Sequence, residues 1–335
     1  MQVAMRSSTL PRPTLRTRVA KPQLRIVASA QPVTVTTVTS NGNGYNGAAA
    51  STPAPAPAPS PAAVSEVKTV SVLTPYQAYD NSAKMGAAKG KLSVATTFVL
   101  GIQAGAYIAF GAFLACTVGG NIPGVAASNP GLAKLLFALV FPVGLSLVKN
   151  VGAELYTGNT MLLTIAVIEK QATMGQLIKN WVVSYLGNIV GSLAMVAAVM
   201  ATGLFATNQL PVQMATMKAN LSFVEVMSRS ILCNWLVCCA VWSANSVTSL
   251  PGRILGLWPP IAAFVAIGLE HSVANMFVIP LGIALGAPVT HTQAWINNIL
   301  PVTLGNTIAG VVFMAFAYSI AYGSLGKKLR GEATA

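Results

Sequence analysis

The chain has 335 residues, 54% of them apolar and only 8% charged, against roughly 25% charged in soluble domains. That is the composition of a membrane protein. The formal charge of +13 does not mark a nucleic-acid binder, because Arg6, Arg12, Arg16, Arg18, Lys21 and Arg25 crowd the first 25 positions. The other 14 basic residues face 7 acids across loops, without a basic face interleaved with aromatics.

Residues 1–30 are rich in Arg, Ser and Thr, lack acids and have no continuous apolar core, so they read as an organellar, plastid-type transit peptide rather than a secretory signal. Residues 31–74 form a polar and Pro/Ala tract that cannot bury a core and is predicted to be a disordered linker. The folded body is predicted over 75–326, with a short tail over 327–335. Its first segment, Pro75 to Lys91, is charged and helical in pattern, and should lie at the membrane surface.

Six spans follow in an all-α membrane protein. The first runs from Leu92 to Val118, longer than the roughly 20 residues that a crossing needs. The second is interrupted: Leu135 to Val148 is too short alone, then come Lys149, Glu154 and Gly158, and then Met161 to Ile168. That is the pattern of a discontinuous helix whose unwound backbone lines a cavity. Spans three and four cover about Gln176 to Phe205 and Val224 to Val247, joined by a loop with Pro211 and Lys218. The fifth is again broken, at Glu270-His271, between Pro259-Pro260 and Pro280. The sixth runs from about Ala294 to Ser324, with His291 in the loop before it. Lys84, Lys89, Lys91, Lys170, Lys179, Arg253, Lys327, Lys328 and Arg330 fall on the side of the termini, against Lys134 and Lys218 opposite. The positive-inside bias therefore places both termini on the stromal side.

The two breaks carry one pattern, Gly-x-Glu-x4-Asn, as Gly152 to Asn159 and as Gly268 to Asn275, 116 residues apart. Leu186-Gly187-Asn188 in span three matches Leu304-Gly305-Asn306 in span six at an offset of 118. Three spans per copy is odd, so the copies must have opposite topology, as in channels and transporters built from inverted repeats. An acid beside a histidine at membrane depth is costly and marks a pathway. The four cysteines, Cys116, Cys233, Cys238 and Cys239, lie in apolar runs without zinc-ligand spacing; no disulfide, metal site or cofactor is expected. There is no Gly-x-Ser-x-Gly elbow or paired catalytic Asp, so an intramembrane enzyme is not the expected function.

Gly152-Ala153-Glu154-Leu155-Tyr156-Thr157-Gly158, Lys179-Asn180-Trp181, Gly268 to Met276 and Leu300-Pro301-Val302-Thr303-Leu304-Gly305-Asn306 together resemble the formate/nitrite transporter family of pentameric anion channels, over roughly Thr74 to Gly326. With its transit segment the chain looks most like plastid members from green algae. The resemblance implies an aquaporin-like 3+3 fold, a homopentamer in a lipid bilayer, and passage of bicarbonate, or alternatively nitrite or formate, across the chloroplast inner envelope. It places the central histidine at His271, with Thr157, Lys218, Asn234 and Asn306 on the substrate pathway. Phe141, Leu145, Leu155, Tyr156 and Phe264 fall at hydrophobic constrictions. Tyr156 stands where bacterial members usually have Phe, and Lys149 where many have an apolar residue, adding a cation near the pore mouth.

In such a pore, positive potential and hydrogen-bond donors must replace the anion's lost water. Lys218 and Lys149 are expected to attract the anion, and Thr157 and the half-helix N-termini to supply donors. His271, with a reference pKa of about 6.5, is suited to donate a hydrogen bond or pass a proton. Glu154, Asn159, Glu270 and Asn275 are expected to be anchors of the broken helices, the two glutamates facing away from the path and bonding the backbone of the breaks.

Overall fold

The computed structural model describes residues 72–332. The expected transit peptide (1–30) and the linker (31–74), except its last three residues, lie outside the described residues. Val72 pairs antiparallel with Val247, and the Leu73 amide donates to the Ser246 carbonyl at 2.7 Å.

Helix α1 (Pro75–Gly90) is started by a capping box in which Thr74 and Gln77 exchange bonds, with Pro at the first turn. Its buried residues, Ala78, Tyr79, Ser82, Ala83, Gly86 and Gly90, fall on one face at three- and four-residue spacing. Then come α2 (Val94–Gly120), the short α3 (Pro123–Ser128), α4 (Pro130–Val140), α5 (Val143–Val151) and α6 (Tyr156–Ile168). Helix α7 (Met174–Thr202) ends the first half. The second half contains α8 (Leu210–Ala219), α9 (Phe223–Asn245), α10 (Leu250–Ile267), α11 (Ser272–Ala284) and α12 (His291–Tyr322), followed by α13 (Ser324–Leu329).

Among the described residues, six helical segments are long and apolar enough to cross a bilayer: α2, the joined α4–α5, α7, α9, α10 and α12. Helices α6 and α11 have 13 residues each, short of the roughly 20 that a crossing needs. Each continues an interrupted neighbour. The breaks are tighter than the sequence suggested, four residues each, 152–155 and 268–271. Both open on a glycine in the left-handed region, Gly152 at φ +87° and Gly268 at φ +88°, which ends the preceding half-helix without a Cβ clash. The loop expected around Pro211 and Lys218 is instead helix α8. Helix α12 contains two stretches of π-helical turns, Ala294–Ile299 and Ala309–Phe316, a feature that often marks functional positions.

The repeat is visible in packing. A Cβ on Gly187 would press on the Phe98 carbonyl of α2, and one on Gly305 would strike Ser230 of α9. The two Leu-Gly-Asn motifs thus bring α7 against α2 and α12 against α9 in the same way, with small residues permitting close approach.

Candidate functional site

Unwinding a helix inside an apolar body leaves backbone groups that must find other partners. At the first break Asn188 supplies them. Its Oδ1 accepts from the Tyr156 amide at 3.0 Å, while its Nδ2 donates to the Gly101 and Glu154 carbonyls at 2.8 and 3.0 Å. At the second break Asn306 accepts from the Ser272 amide at 2.9 Å and donates to the Ser230 and Glu270 carbonyls at 2.8 and 3.1 Å. Asn306 is therefore a buried backbone clamp. The sequence placed it on the pathway and did not single out Asn188 as a site residue, although the shared Leu-Gly-Asn motif pointed to both.

The two glutamates differ from expectation in the same symmetric manner. Glu154 accepts from Lys89 through Oε1, and from Asn159 and Asn180 through Oε2 at 2.8 and 3.1 Å. Glu270 accepts from Lys218 at 2.7 Å, and from Asn275 and Asn298 at 2.7 and 3.2 Å. Their carboxylates take side-chain donors, not the backbone of the breaks. Lys218, expected as an attracting cation, is 7% exposed and paired with the fully buried Glu270. Lys89 was not foreseen, because the helix that brings it to Glu154 carries no local signal of that contact.

The breaks meet at Thr157 and His271, whose Oγ1 and Nε2 are 3.0 Å apart. His271 caps α11: its Nδ1 accepts the Ala274 amide at 3.1 Å. An accepting Nδ1 assigns the ring's single proton to Nε2, directed toward Thr157. Asn234 donates to the carbonyls of Thr157 and Asn306, at 3.2 and 2.6 Å, and to Thr160 Oγ1 at 3.3 Å. It ties α9 to α6 and α12, and it lines none of the four cavities described below.

His271 stacks on Phe264 at 5.9 Å, and Phe264 meets Phe141 edge-on at 5.8 Å. Phe141, Leu145, Leu155, Phe264 and His271, with Ile108, Val237 and Ile261, enclose a void of only about 10 Å³. That is about the room of one water, so the slit is closed. Tyr156, expected among the constricting residues, does not line it. Its ring packs edge-on against Trp181 and Tyr185, and its hydroxyl bonds Thr307 at 2.7 Å.

Larger cavities lie near the two ends of α2. One, of about 250 Å³, shares Leu145 and Leu155 with the slit and is also lined by Lys89, Lys149, Glu154 and Gly158. The other, of about 440 Å³, is lined by Gly119, Lys134, Phe137, Met214, Val265 and Gly268. Lys89 precedes α2 and Gly119 ends it, and 27 residues at about 1.5 Å each separate the two ends by roughly 40 Å. The 250 Å³ vestibule and the closed apolar slit, into which His271 brings a donor, share Leu145 and Leu155 and together have the chemistry of a small-anion conduit.

Comparison with known proteins agrees with this geometry. The family described as Formate/nitrite transporter matches residues 76–320. A probable formate transporter of Methanothermobacter thermautotrophicus is 42% identical over 252 residues, 70% of this chain and 91% of that protein. The formate channel FocA of Escherichia coli is 36% identical over 254 residues, covering 68% and 86%. Among solved structures, a pentameric formate channel with formate bound superposes with a TM-score of 0.63 at 31% identity, covering 69% of this chain and 98% of its own.

Proposed function

The chain belongs to the formate/nitrite transporter family, membrane proteins that pass small anions, and on that premise we propose that it is a bicarbonate channel of the chloroplast inner envelope. The observation that carries the channel reading is the Thr157–His271 pair, held where two half-helices meet, whose histidine lines a slit walled by Phe141, Leu145, Leu155 and Phe264. An anion entering from the 250 Å³ vestibule meets Lys149, which no carboxylate pairs among the described residues, and Lys89, which is paired with Glu154. At the slit it replaces Thr157 as the acceptor of the His271 Nε2 proton, and the Thr157 hydroxyl turns to donate to the same anion. Two donors facing a low-dielectric gap stabilise a charge far better than they would in water. Passage then requires the Phe264 and Phe141 rings to part.

Bicarbonate and the plastid membrane rest on the acid-free, Arg-rich N-terminal segment and the organellar address it reads as. A second reading, formate or nitrite, is favoured by the likeness to a formate transporter and a formate channel and by the family's description as formate/nitrite transporters. We assign a homopentamer, as in the pentameric formate channel. Apolar residues stay exposed along α7 at Ile178, Val182, Leu186, Val190 and Leu193, which supplies a face for lipid or a second subunit. The deciding experiment is uptake of labelled bicarbonate, nitrite and formate into proteoliposomes. Bicarbonate flux above empty vesicles supports the assignment, nitrite or formate flux alone transfers it to the second reading, and no flux of any of the three defeats the channel reading.

A further inference from the structure

Beside the 250 Å³ vestibule lies a further cavity, of about 500 Å³, that touches neither the slit nor the breaks. Asn81 of α1, Lys149 of α5, Asn245 at the end of α9, Thr248 and Arg253 of α10 supply its polar wall. Among the described residues, no carboxylate lines it. Neither Lys149 nor Arg253 belongs to an ion pair among the described residues. Lys149 Nζ donates to Asn245 Oδ1 at 2.6 Å, which fixes the orientation of that amide. The other end of the amide, Nδ2, is buried and has no acceptor among the described residues. Asn81 Nδ2 donates to the Asn245 carbonyl at 2.9 Å and holds the same corner from the other side.

Buried donors are nearly always paired. A wall with two cations, neither in an ion pair, and no acid among the described residues is complementary to an anion. The room far exceeds what a monoanion of three or four heavy atoms fills. A guanidinium fork beside an ammonium matches a phosphate group, which Arg engages at two points. Lys149 also lines the conducting vestibule, so the two cavities share one cation.

We propose that the Lys149–Asn245–Arg253 pocket binds a phosphate-bearing anion, and that its occupancy slows conduction by neutralising the Lys149 charge that faces the vestibule. The binding half stands by itself, whereas the regulatory half rests on the channel reading above.

The test uses the full chain, purified in detergent without anionic lipid. Equilibrium dialysis with inorganic phosphate should show saturable binding to the wild type, at least tenfold weaker in Arg253→Gln and intermediate in Arg253→Lys, which keeps the charge but not the fork. No saturable binding by wild type, or equal binding by Arg253→Gln, overturns the site. Should Arg253→Gln fail to elute as the wild type does, Arg253→Lys decides, and unaltered binding by it overturns the two-point assignment. Displacement of phosphate by added phosphatidylglycerol supports the same site and assigns it to a lipid headgroup rather than a free phosphate. In proteoliposomes, phosphate should slow anion flux through wild type and leave Arg253→Gln flux unchanged. Bound phosphate without inhibition overturns the regulatory half, while absent flux in every case defeats the channel reading and leaves the binding result intact.

Discussion

His271 occupies in the second break the position that Leu155 occupies in the first. Each immediately precedes the second half-helix, each has an extended backbone (φ −113° and −91°), and both line the same closed slit. The groups that hold the two breaks are matched: Gly152 with Gly268, Glu154 with Glu270, Asn159 with Asn275, Asn188 with Asn306. The repeat is symmetric in what holds the backbone and asymmetric where an anion would pass. One side of the slit is purely apolar and the other carries a donor. Thr157 completes the asymmetry, because its counterpart 116 residues on is the buried Val273.

His271→Ala should lower anion flux about 10- to 100-fold, the effect of losing a hydrogen bond to a charged group worth about 1.5–3 kcal/mol. His271→Asn retains a donor and an acceptor able to cap α11, and should keep more flux than Ala. Stopped-flow uptake by both variants, normalised to protein incorporated, measures this. Equal flux in Ala and wild type would remove His271 from the path.

Asn188→Leu and Asn306→Leu should each be strongly destabilising, and by similar amounts. Either change strips one amide and two carbonyls of their partner, at about 1–3 kcal/mol for each buried group left unpaired. Thermal unfolding in detergent should show parallel drops in midpoint. A mild effect at one site and a severe one at the other would contradict the symmetric role.

The Lys218–Glu270 pair separates a brace from an attracting cation. Lys218→Met alone leaves the buried Glu270 carboxylate without its cation and should cost about 3–5 kcal/mol. The double variant Lys218→Met/Glu270→Gln removes both charges, and should recover most of the lost stability together with wild-type flux. If the double variant is stable yet conducts poorly, Lys218 acts on the anion after all.

Phe264→Ala removes the ring that stacks on His271 and meets Phe141. The slit should then admit larger monocarboxylates. Acetate and lactate flux should rise several-fold relative to formate, because an apolar constriction of this kind selects by size. An unchanged selectivity series would place the narrowest point elsewhere.

Much of the architecture was legible before any coordinates. The six apolar spans, the two interruptions and the offsets of 116 and 118 are local or periodic features of the chain. His271, Phe141, Leu145, Leu155 and Phe264, singled out from sequence, come together around one void. Several side-chain readings did not survive in detail. Lys218 is paired, Asn306 clamps backbone, and Tyr156 packs against α7 and bonds α12 instead of lining the slit. Each concerns where a side chain goes after its helix is placed, which hydropathy does not encode.

Sequence by itself determined that this chain crosses a membrane, where its helices break and that its halves repeat, because apolar run length and glycine backbone freedom are properties of short segments. Only the tertiary structure decided which buried charge meets which partner and how wide the path is. Those depend on the faces that α2 and α7, or α9 and α12, turn to one another. Close contact at Gly187 and Gly305 sets that approach, and with it the positions of Asn188 and Asn306 that hold Leu155 and His271 across the slit.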